Sequence, residues 1–313
     1  MSVGYVLTRV AMLFLVIWIA ASVVFIIPRL ARVLPQSAVT RARHGLDRPI
    51  IEQYGSYLWE TARFDFGPSV TYFPSQVGRH IQMRLPWTVG LLTISTALTF
   101  VVGNILGAVL GWPGSSPRAR WLVPILMPFM AMPYYLLGLI LIFLLAFTWP
   151  ILPSGGGYST ATTIELTPRF ALDVLRHGAL PALSIVLSSI GFWIITMRSL
   201  MITNLDEDYV VMAEAKGLSS TRILFRYAMR NSALPQVTML AITFGQIVSG
   251  ALLVEIIFDY PGMGWILREA IGHNDYRLIQ GIVFVLILSV ATATLVFDLV
   301  APLVDRRIVY ERS

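Results

Sequence analysis

Long stretches without a single charged residue are the feature that most constrains this chain. Six of them occur within the 313 residues. A helix needs roughly 20 mostly apolar residues to cross the hydrocarbon core of a membrane. Lipid offers no hydrogen-bond partner, so the backbone must satisfy its own polar groups there, which favours helices. The charge-free stretches are 10–28, 85–117, 121–164, 178–197, 231–254 and 278–297.

These stretches predict an all-α, polytopic membrane protein with six transmembrane helices. Composition agrees, because 56% of the residues are hydrophobic and only 13% are charged, whereas a soluble domain is about 25% charged. That balance argues against soluble enzymes, nucleic-acid binders and disordered chains. We expect the helices at about 6–28, 88–111, 121–148, 180–202, 234–257 and 279–304.

The first apolar stretch could instead belong to a cleaved secretory signal. It exceeds the 7–15 residues or so that are typical of such a signal, and no Ala-x-Ala site closes it. Pro28, Arg29 and Arg32 follow it instead. We therefore expect an uncleaved transmembrane helix over 1–28.

Residues 29–87 are expected to form an external loop or cap with some order of its own. Helical spacing of apolar residues over 50–58, a turn at 64–68 and a short amphipathic helix over 75–85 are predicted within it. The rest of the chain is predicted to comprise a five-helix core at 88–304, with a loop at about 203–233, and a tail at 305–313.

The distribution of arginine and lysine indicates the orientation of the chain in the membrane. With the N-terminus in the cytoplasm, the inner segments carry 11 basic residues and the short outer loops carry 4. The 29–87 loop adds eight arginines outside, which makes the totals nearly equal. However, its length is close to the limit of about 60 residues above which loops translocate regardless of charge. We therefore discount it and expect both termini in the cytoplasm.

The chain shows no constellation for chemistry of its own. A phosphate-binding P-loop needs a lysine after its second glycine, and Lys216, the only lysine, precedes Gly217. No metal-ligand spacing links the four histidines, and no Gly-x-Ser-x-Gly occurs. We expect no catalytic residue, metal or cofactor in this chain, and the net charge of +6 needs no nucleic acid to explain it. A passive channel or an ion-coupled carrier remains open at this point.

The loop before the fifth predicted span is the most informative segment. Acidic residues at 206–208 suit a helix start, where the helix dipole favours them. Gly217 can end that helix, and Ser219 or Ser220 can cap the next. Arg222, Arg226 and Arg230 recur every four residues as a basic stripe. Such a helical hairpin suits insertion into a partner, although a solvated connector would carry the same pattern.

Helix packing and bending can also be anticipated. Pro128 and Pro133 can kink the third span. Gly103, Gly107 and Gly111 permit close helix approach in the second. Packing without gating is the simpler role for both sets.

Several motifs resemble one family over nearly the whole chain. Residues 213–217, with Leu234-Pro235 downstream, look like the coupling motif of bacterial ABC importer permeases, and their spacing is similar to the B-type subunit of the dipeptide/oligopeptide branch. One alanine follows Glu214, where the general form has two. Further agreement lies at 45–49, 53–54, 84–88, 152–156, 177–182, 209–210, 255–264, 275–277 and 303–308.

The resemblance implies a type I ABC importer permease fold in the bacterial cytoplasmic (inner) membrane. It implies a second, C-type permease subunit, two ATPase subunits or domains that bind ATP and Mg, an extracytoplasmic solute-binding protein and surrounding lipid. Peptides are the implied substrates, and oligosaccharides, glutathione or nickel chelates are alternatives. The residues expected to dock on the ATPase are Tyr209, Ala213, Glu214, Ala215, Gly217, Arg222 and Arg226. The pathway or gate residues are expected to be Gln246, Ser249, Glu255, Pro261, Gly262 and Gly264.

Overall fold

The protein is mostly helical in the part that the computed structural model describes, which comprises residues 3–30, 47–159, 165 and 167–304. Side chains at 3, 120, 238, 241–250 and 300–304 lie outside that description. An isolated bridge between Pro68 and Gln76 is the only β-pairing of the described residues. The helices are α1 (Val3–Leu30), α2 (Ile50–Ala62), α3 (Val77–Gly111), α4 (Leu122–Ala131), α5 (Tyr134–Ile142), α6 (Pro168–Asn204), α7 (Asp208–Ala215), α8 (Ser220–Ile223), α9 (Met229–Ile257), α10 (Met263–Gly272) and α11 (Tyr276–Val304).

The all-α membrane fold is confirmed. Among the described residues, α1, α3, α6 and α11 are each long and apolar enough to cross a membrane. The helix predicted over 121–148 is broken, because α4 and the segment Tyr134–Thr148 meet at an angle of 105°. Counted as one broken span, this pair brings the number to five. The predicted span over 234–257 lies within α9, whose side chains over 241–250 are outside the description, so the total of six stays a prediction.

Pro133 is the physical cause of the break in the third span. It is the residue that precedes α5, and its ring removes a backbone donor and disfavours helical geometry at Met132. Met132 is extended, with φ −88° and ψ 127°. Pro128, by contrast, lies inside α4 without ending it. The predicted kink is therefore confirmed at Pro133.

Two helices begin about three turns before the predicted spans. Helix α3 starts at Val77 and contains residues 77–85 of the short helix predicted over 75–85, and α6 starts at Pro168 where 180 was expected. Thr167 caps α6 by accepting a 3.2 Å hydrogen bond from the Phe170 amide through its side chain. A capped helix continues through charged residues, since its backbone bonds do not depend on apolarity.

The chain forms two compact units, one comprising 1–88 with 261–296 and the other 89–260 with 297–313. In the first, the buried carboxylate of Asp275 lies just before α11 and holds the segment before α3. Its Oδ2 accepts hydrogen bonds from Ser69 Oγ at 2.5 Å and from the amides of Val70 and Thr71 at 2.8 and 2.9 Å. The predicted turn at 64–68 is confirmed, with left-handed φ at Phe64 and Gly67.

In the second unit, glycines of α3 lie directly against α6. A Cβ on Gly107 would lie 2.6 Å from the Ile194 carbonyl oxygen, and one on Gly111 would lie 2.7 Å from Met201 Cβ. A Cβ on Gly103 would lie 2.5 Å from Trp193 Cβ. The predicted close helix approach is therefore confirmed, and only a residue without a side chain fits at these positions.

Candidate functional site

The loop between α6 and α9 is a helical hairpin, as predicted. Helix α7 begins after Glu207, which has extended backbone geometry (φ −74°, ψ 140°), and Asp208 occupies its first turn, where a negative charge is favourable. Helix α8 follows four residues after α7 ends, and a short π-helical segment at Leu224–Ala228 connects it to α9.

Gly217 ends α7 in the left-handed conformation that the sequence predicts, with φ +70°. The Gly217 amide donates to the Glu214 carbonyl at 2.8 Å, and the Leu218 amide donates to the Ala213 carbonyl at 3.3 Å. This pair of bonds is a Schellman motif, which satisfies helix carbonyls that would otherwise lack donors. Leu218 also packs against the buried residues beneath the loop, and such an apolar contact commonly accompanies the motif.

The predicted serine cap takes a different form. Ser219 precedes α8 in the capping position but makes no capping hydrogen bond with its side chain. The hydroxyl of Ser220 instead accepts a 2.7 Å hydrogen bond from Trp112 Nε1, which ties the start of α8 to the residue after α3. The serine therefore links two elements rather than completing a helix end.

A buried apolar cluster holds the hairpin in place. Val210 and Ala213 on α7 are only 1% and 2% exposed, and they belong to a cluster that includes Met197 and Met201 of α6. Two buried residues one turn apart form the inner face of α7. The other buried members are Ala108, Ile223, Leu224 and Ala228, and Trp112 and Tyr209 pack against them partly exposed.

The outer surface of the hairpin combines exposed apolar groups with charges. Val211 and Met212 are 53% and 58% exposed, and Phe225 is 44% exposed. Charged side chains lie beside them on the exposed surface of the same hairpin. We call this surface the loop face and define it as Val211, Met212, Glu214, Ala215, Arg222, Phe225 and Arg226.

Some of the predicted docking residues lie on the exposed outer surface of the hairpin, and the others lie on its inner side. Five are exposed, namely Glu214, Ala215, Gly217, Arg222 and Arg226. Tyr209 is half-buried and Ala213 is buried, so both support the hairpin from inside. The four-residue spacing of Tyr209 and Ala213 within α7 already indicated that they share a face. Val211 and Met212 are exposed as well, but they were not among the predicted docking residues.

The predicted pathway residues lie in two regions. Glu255 is fully buried in the last turns of α9, in the second unit. Pro261, Gly262 and Gly264 lie in the first unit. Gly262 immediately precedes α10, with φ −93° and ψ −166°. The backbone amide of Met263 donates a 2.8 Å hydrogen bond to Thr88 Oγ1. The side chains of Gln246 and Ser249 lie outside the described residues.

Tyr260 lies close in sequence to Glu255 and is itself buried. Its amide donates to the Glu255 carbonyl at 2.9 Å. Burial raises the pKa of the Tyr260 phenol to about 12, and the negative charge of Glu255 contributes a smaller part of that rise. The phenol therefore stays protonated over the physiological range and remains a hydrogen-bond donor.

The chain resembles known membrane permeases over most of its length. The chain is 31% identical over 90% of its length to the di/tripeptide transport system permease protein DppB of Pseudomonas aeruginosa, of which it covers 88%. It is 29% identical over 86% of its length to the oligopeptide transport system permease protein AppB of Bacillus subtilis, of which it covers 83%. Residues 103–310 match the family described as binding-protein-dependent transport system inner membrane component. This chain belongs to that family. It is a multi-pass membrane permease of the ABC transporter class.

This permease also has an open pocket that the sequence did not predict. It lies at the break between α4 and α5 and has a volume of about 520 Å³. Ser188 of α6 lines it and is 6% exposed. The other lining residues are Met130, Ala131, Met132, Pro133, Tyr134, Tyr135 and Leu253. Pro133 signalled the break, but the facing positions on α6 and α9 become neighbours only when the helices pack.

Proposed function

We propose that this permease is a translocation subunit of an ATP-driven importer that moves peptides across the bacterial cytoplasmic membrane. In this proposal its loop face docks on an ATP-hydrolysing partner subunit. The observation that carries the proposal is the hairpin itself, which is anchored on one side by a buried cluster and exposes apolar and charged groups on the other.

The physical argument starts from the exposed apolar side chains. Water disfavours Val211, Met212 and Phe225 at the surface of a hairpin whose inner face is already packed. An apolar patch bordered by charged groups is typical of a protein interface. Arg222 and Arg226 supply cations that would pair with acidic groups on a partner, and Glu214 supplies an anion.

The other subunits of the transporter and its substrate are inferred from the family and from the relatives' names. The relatives are peptide permeases, which supports peptides as the cargo of this chain. A second, C-type permease chain would complete the pathway, two ATPase subunits would bind ATP and Mg, and an extracytoplasmic solute-binding protein would deliver the substrate. With the 29–87 loop discounted, the 11 basic residues on inner segments against 4 on the short outer loops support cytoplasmic termini.

Charge reversal on the loop face tests the docking. The complete transporter is reconstituted with Glu214→Arg, and peptide uptake and substrate-stimulated ATP hydrolysis are measured. We expect both to fall about tenfold or more, which corresponds to about 1.4 kcal/mol of lost interface free energy, while membrane insertion is unchanged. Arg169→Glu is the matched control, because it reverses another exposed charge at the opposite end of α6.

The outcomes separate the parts of the proposal. Normal uptake and stimulated hydrolysis in Glu214→Arg would contradict docking through the loop face. Uptake of oligosaccharides, glutathione or nickel chelates in place of peptides would overturn the substrate and leave the docking intact. Solute flux through the purified chain alone in liposomes, without an ATPase, would show a self-sufficient channel or carrier.

A further inference from the structure

Helix α2 has three distinct faces, and only two of them have an evident role. At 100° per residue, Tyr54, Tyr57 and Thr61 fall on one face, which is buried or half-buried. Glu52, Ser56 and Glu60 fall on an exposed polar face. The third face consists of Ile51, Gly55, Leu58, Trp59 and Ala62, and we call it the apolar stripe. Ile51 is 81% exposed and Trp59 is 62% exposed.

The packed face of α2 is bound to the end of α1. The Tyr54 hydroxyl and Ser22 Oγ lie 2.6 Å apart and share a hydrogen bond. The ring of Phe25 contacts the rings of Tyr54 and Tyr57, with centroids 5.2 and 5.3 Å apart. Arg29 donates to Gln53 Oε1 at 2.9 Å and lies 3.4 Å from the centroid of the Phe25 ring.

These contacts place α2 at the depth of the membrane boundary. Ser22 and Phe25 belong to the charge-free stretch of α1, and Ser22 precedes the end of that helix by eight residues, or about 12 Å at 1.5 Å per residue. A helix bound there lies beside the last turns of a membrane span. Those turns carry further exposed apolar side chains, Ile26, Ile27 and Leu30.

The chemistry of the apolar stripe fits this depth. Tryptophan is enriched where the hydrocarbon meets the headgroups, because its ring is apolar and its N–H is polar. The guanidinium of Arg63 lies 4.0 Å from the centroid of the Trp59 ring and is exposed, so its donors can reach a lipid phosphate. The polar face with Glu52 and Glu60 would meet water.

We propose that α2 is an interfacial helix that binds the phospholipid surface through its apolar stripe. Ile51, Leu58 and Trp59 occupy the boundary between headgroups and acyl chains, and Arg63 contacts a phosphate. The helix thereby fixes the end of α1 at the membrane surface. This occupant follows from continuity, since α2 packs against the last turns of α1, a membrane span whose apolar window is only 17% buried within the protein.

The absence of cysteine from the sequence makes a labelling test direct. Single cysteines are introduced into the complete transporter in nanodiscs and labelled with a nitroxide. Ile51→Cys, Leu58→Cys and Ala62→Cys probe the stripe, and Ser56→Cys and Glu60→Cys are matched controls on the polar face. Collision rates with oxygen, which partitions into lipid, are compared with those of a water-soluble nickel chelate. Peptide uptake verifies that each variant is folded.

The expected result is a ratio of oxygen to nickel collisions that is several-fold higher on the stripe than on the polar face. A bimane label at residue 51 should also be quenched more by lipids with a shallow nitroxide than by lipids with a deep one. Equal ratios on the two faces would overturn the proposal, because the stripe would then face water. Exclusion of both reagents from the stripe would also overturn it, because a protein partner would then cover it.

Discussion

Substitution of Gly217 measures how much its left-handed backbone conformation stabilises the end of α7 in the hairpin. An added Cβ at Gly217 meets nothing within 4 Å, and the same is true of Gly55 in α2. Only Gly217 has a positive φ, +70°. Replacing each with alanine therefore adds the same methyl group to open space, and only the backbone conformation differs between the two sites.

The expected magnitudes have opposite signs. An L-residue in left-handed geometry costs roughly 1–2 kcal/mol, which is about a 5–30-fold shift of an equilibrium. Gly217→Ala should therefore open the helix end more often by that factor. Gly217→Asn should have a smaller effect, because asparagine tolerates this conformation. Gly55→Ala lies inside a helix and should stabilise it by about 0.5–1 kcal/mol.

Hydrogen exchange at the Leu218 amide measures the opening directly. That amide donates to the Ala213 carbonyl at 3.3 Å, and the bond is lost when the Schellman motif opens. In the complete transporter we expect exchange about 5–30 times faster in Gly217→Ala, a smaller change in Gly217→Asn and none in Gly55→Ala. Equal exchange in the Gly217→Ala variant and the unmodified protein would refute the assignment of strain to the positive φ.

Two further predictions concern stability. Gly107→Ala places a methyl 2.6 Å from the Ile194 carbonyl oxygen, so we expect a loss of about 1–3 kcal/mol in thermal unfolding. Gly90→Ala in the same helix meets nothing within 4 Å, and an equal loss there would contradict the steric argument. The pKa of Tyr260 is raised from 10.0 to about 12, so its stabilisation is complete below about pH 10 and is lost as the pH rises to about 12. Tyr260→Phe should show a smaller fall in unfolding temperature across that window, and an unchanged fall would show that another group titrates.

The charge-free windows located the membrane helices well but misplaced several ends. Apolarity is required only where the chain meets lipid, so a window marks the lipid-facing part of a helix and says little about its extension into water. Helix α3 includes Arg79, His80 and Arg84 before the window begins. Arg84 is accommodated because its guanidinium lies 4.5 Å from the centroid of the Trp265 ring. The two residues are 181 positions apart in the chain, so the local sequence around Arg84 does not predict this contact.

The candidate site also combines features that the local sequence predicts with features that depend on tertiary packing. The end of α7 follows from a single local rule, the preference of left-handed geometry for glycine, and Gly217 obeys it. Which side of α7 faces outward depends on tertiary packing against Met197 and Met201. The motif therefore identified the hairpin but placed buried Ala213 among the docking residues. The four-residue spacing of Tyr209 and Ala213 was the clue to the inner face that the sequence offered.

The packing of α3 on α6 also indicates how the broken helix relates to the membrane. Gly103 lies against Trp193, Gly107 against Met197 and Gly111 against Met201. Both series increase together along the chain, so the two helices run parallel. Two parallel spans require an odd number of crossings between them, and α4 and α5 are the described helices that connect them. The bent pair is therefore a true, broken crossing rather than a re-entrant loop. Ala131 and Pro133 are exposed at the break, beside an open pocket of about 520 Å³. Because a lipid-exposed helix break leaves backbone groups unsatisfied, we expect protein or water to cover this break in the membrane.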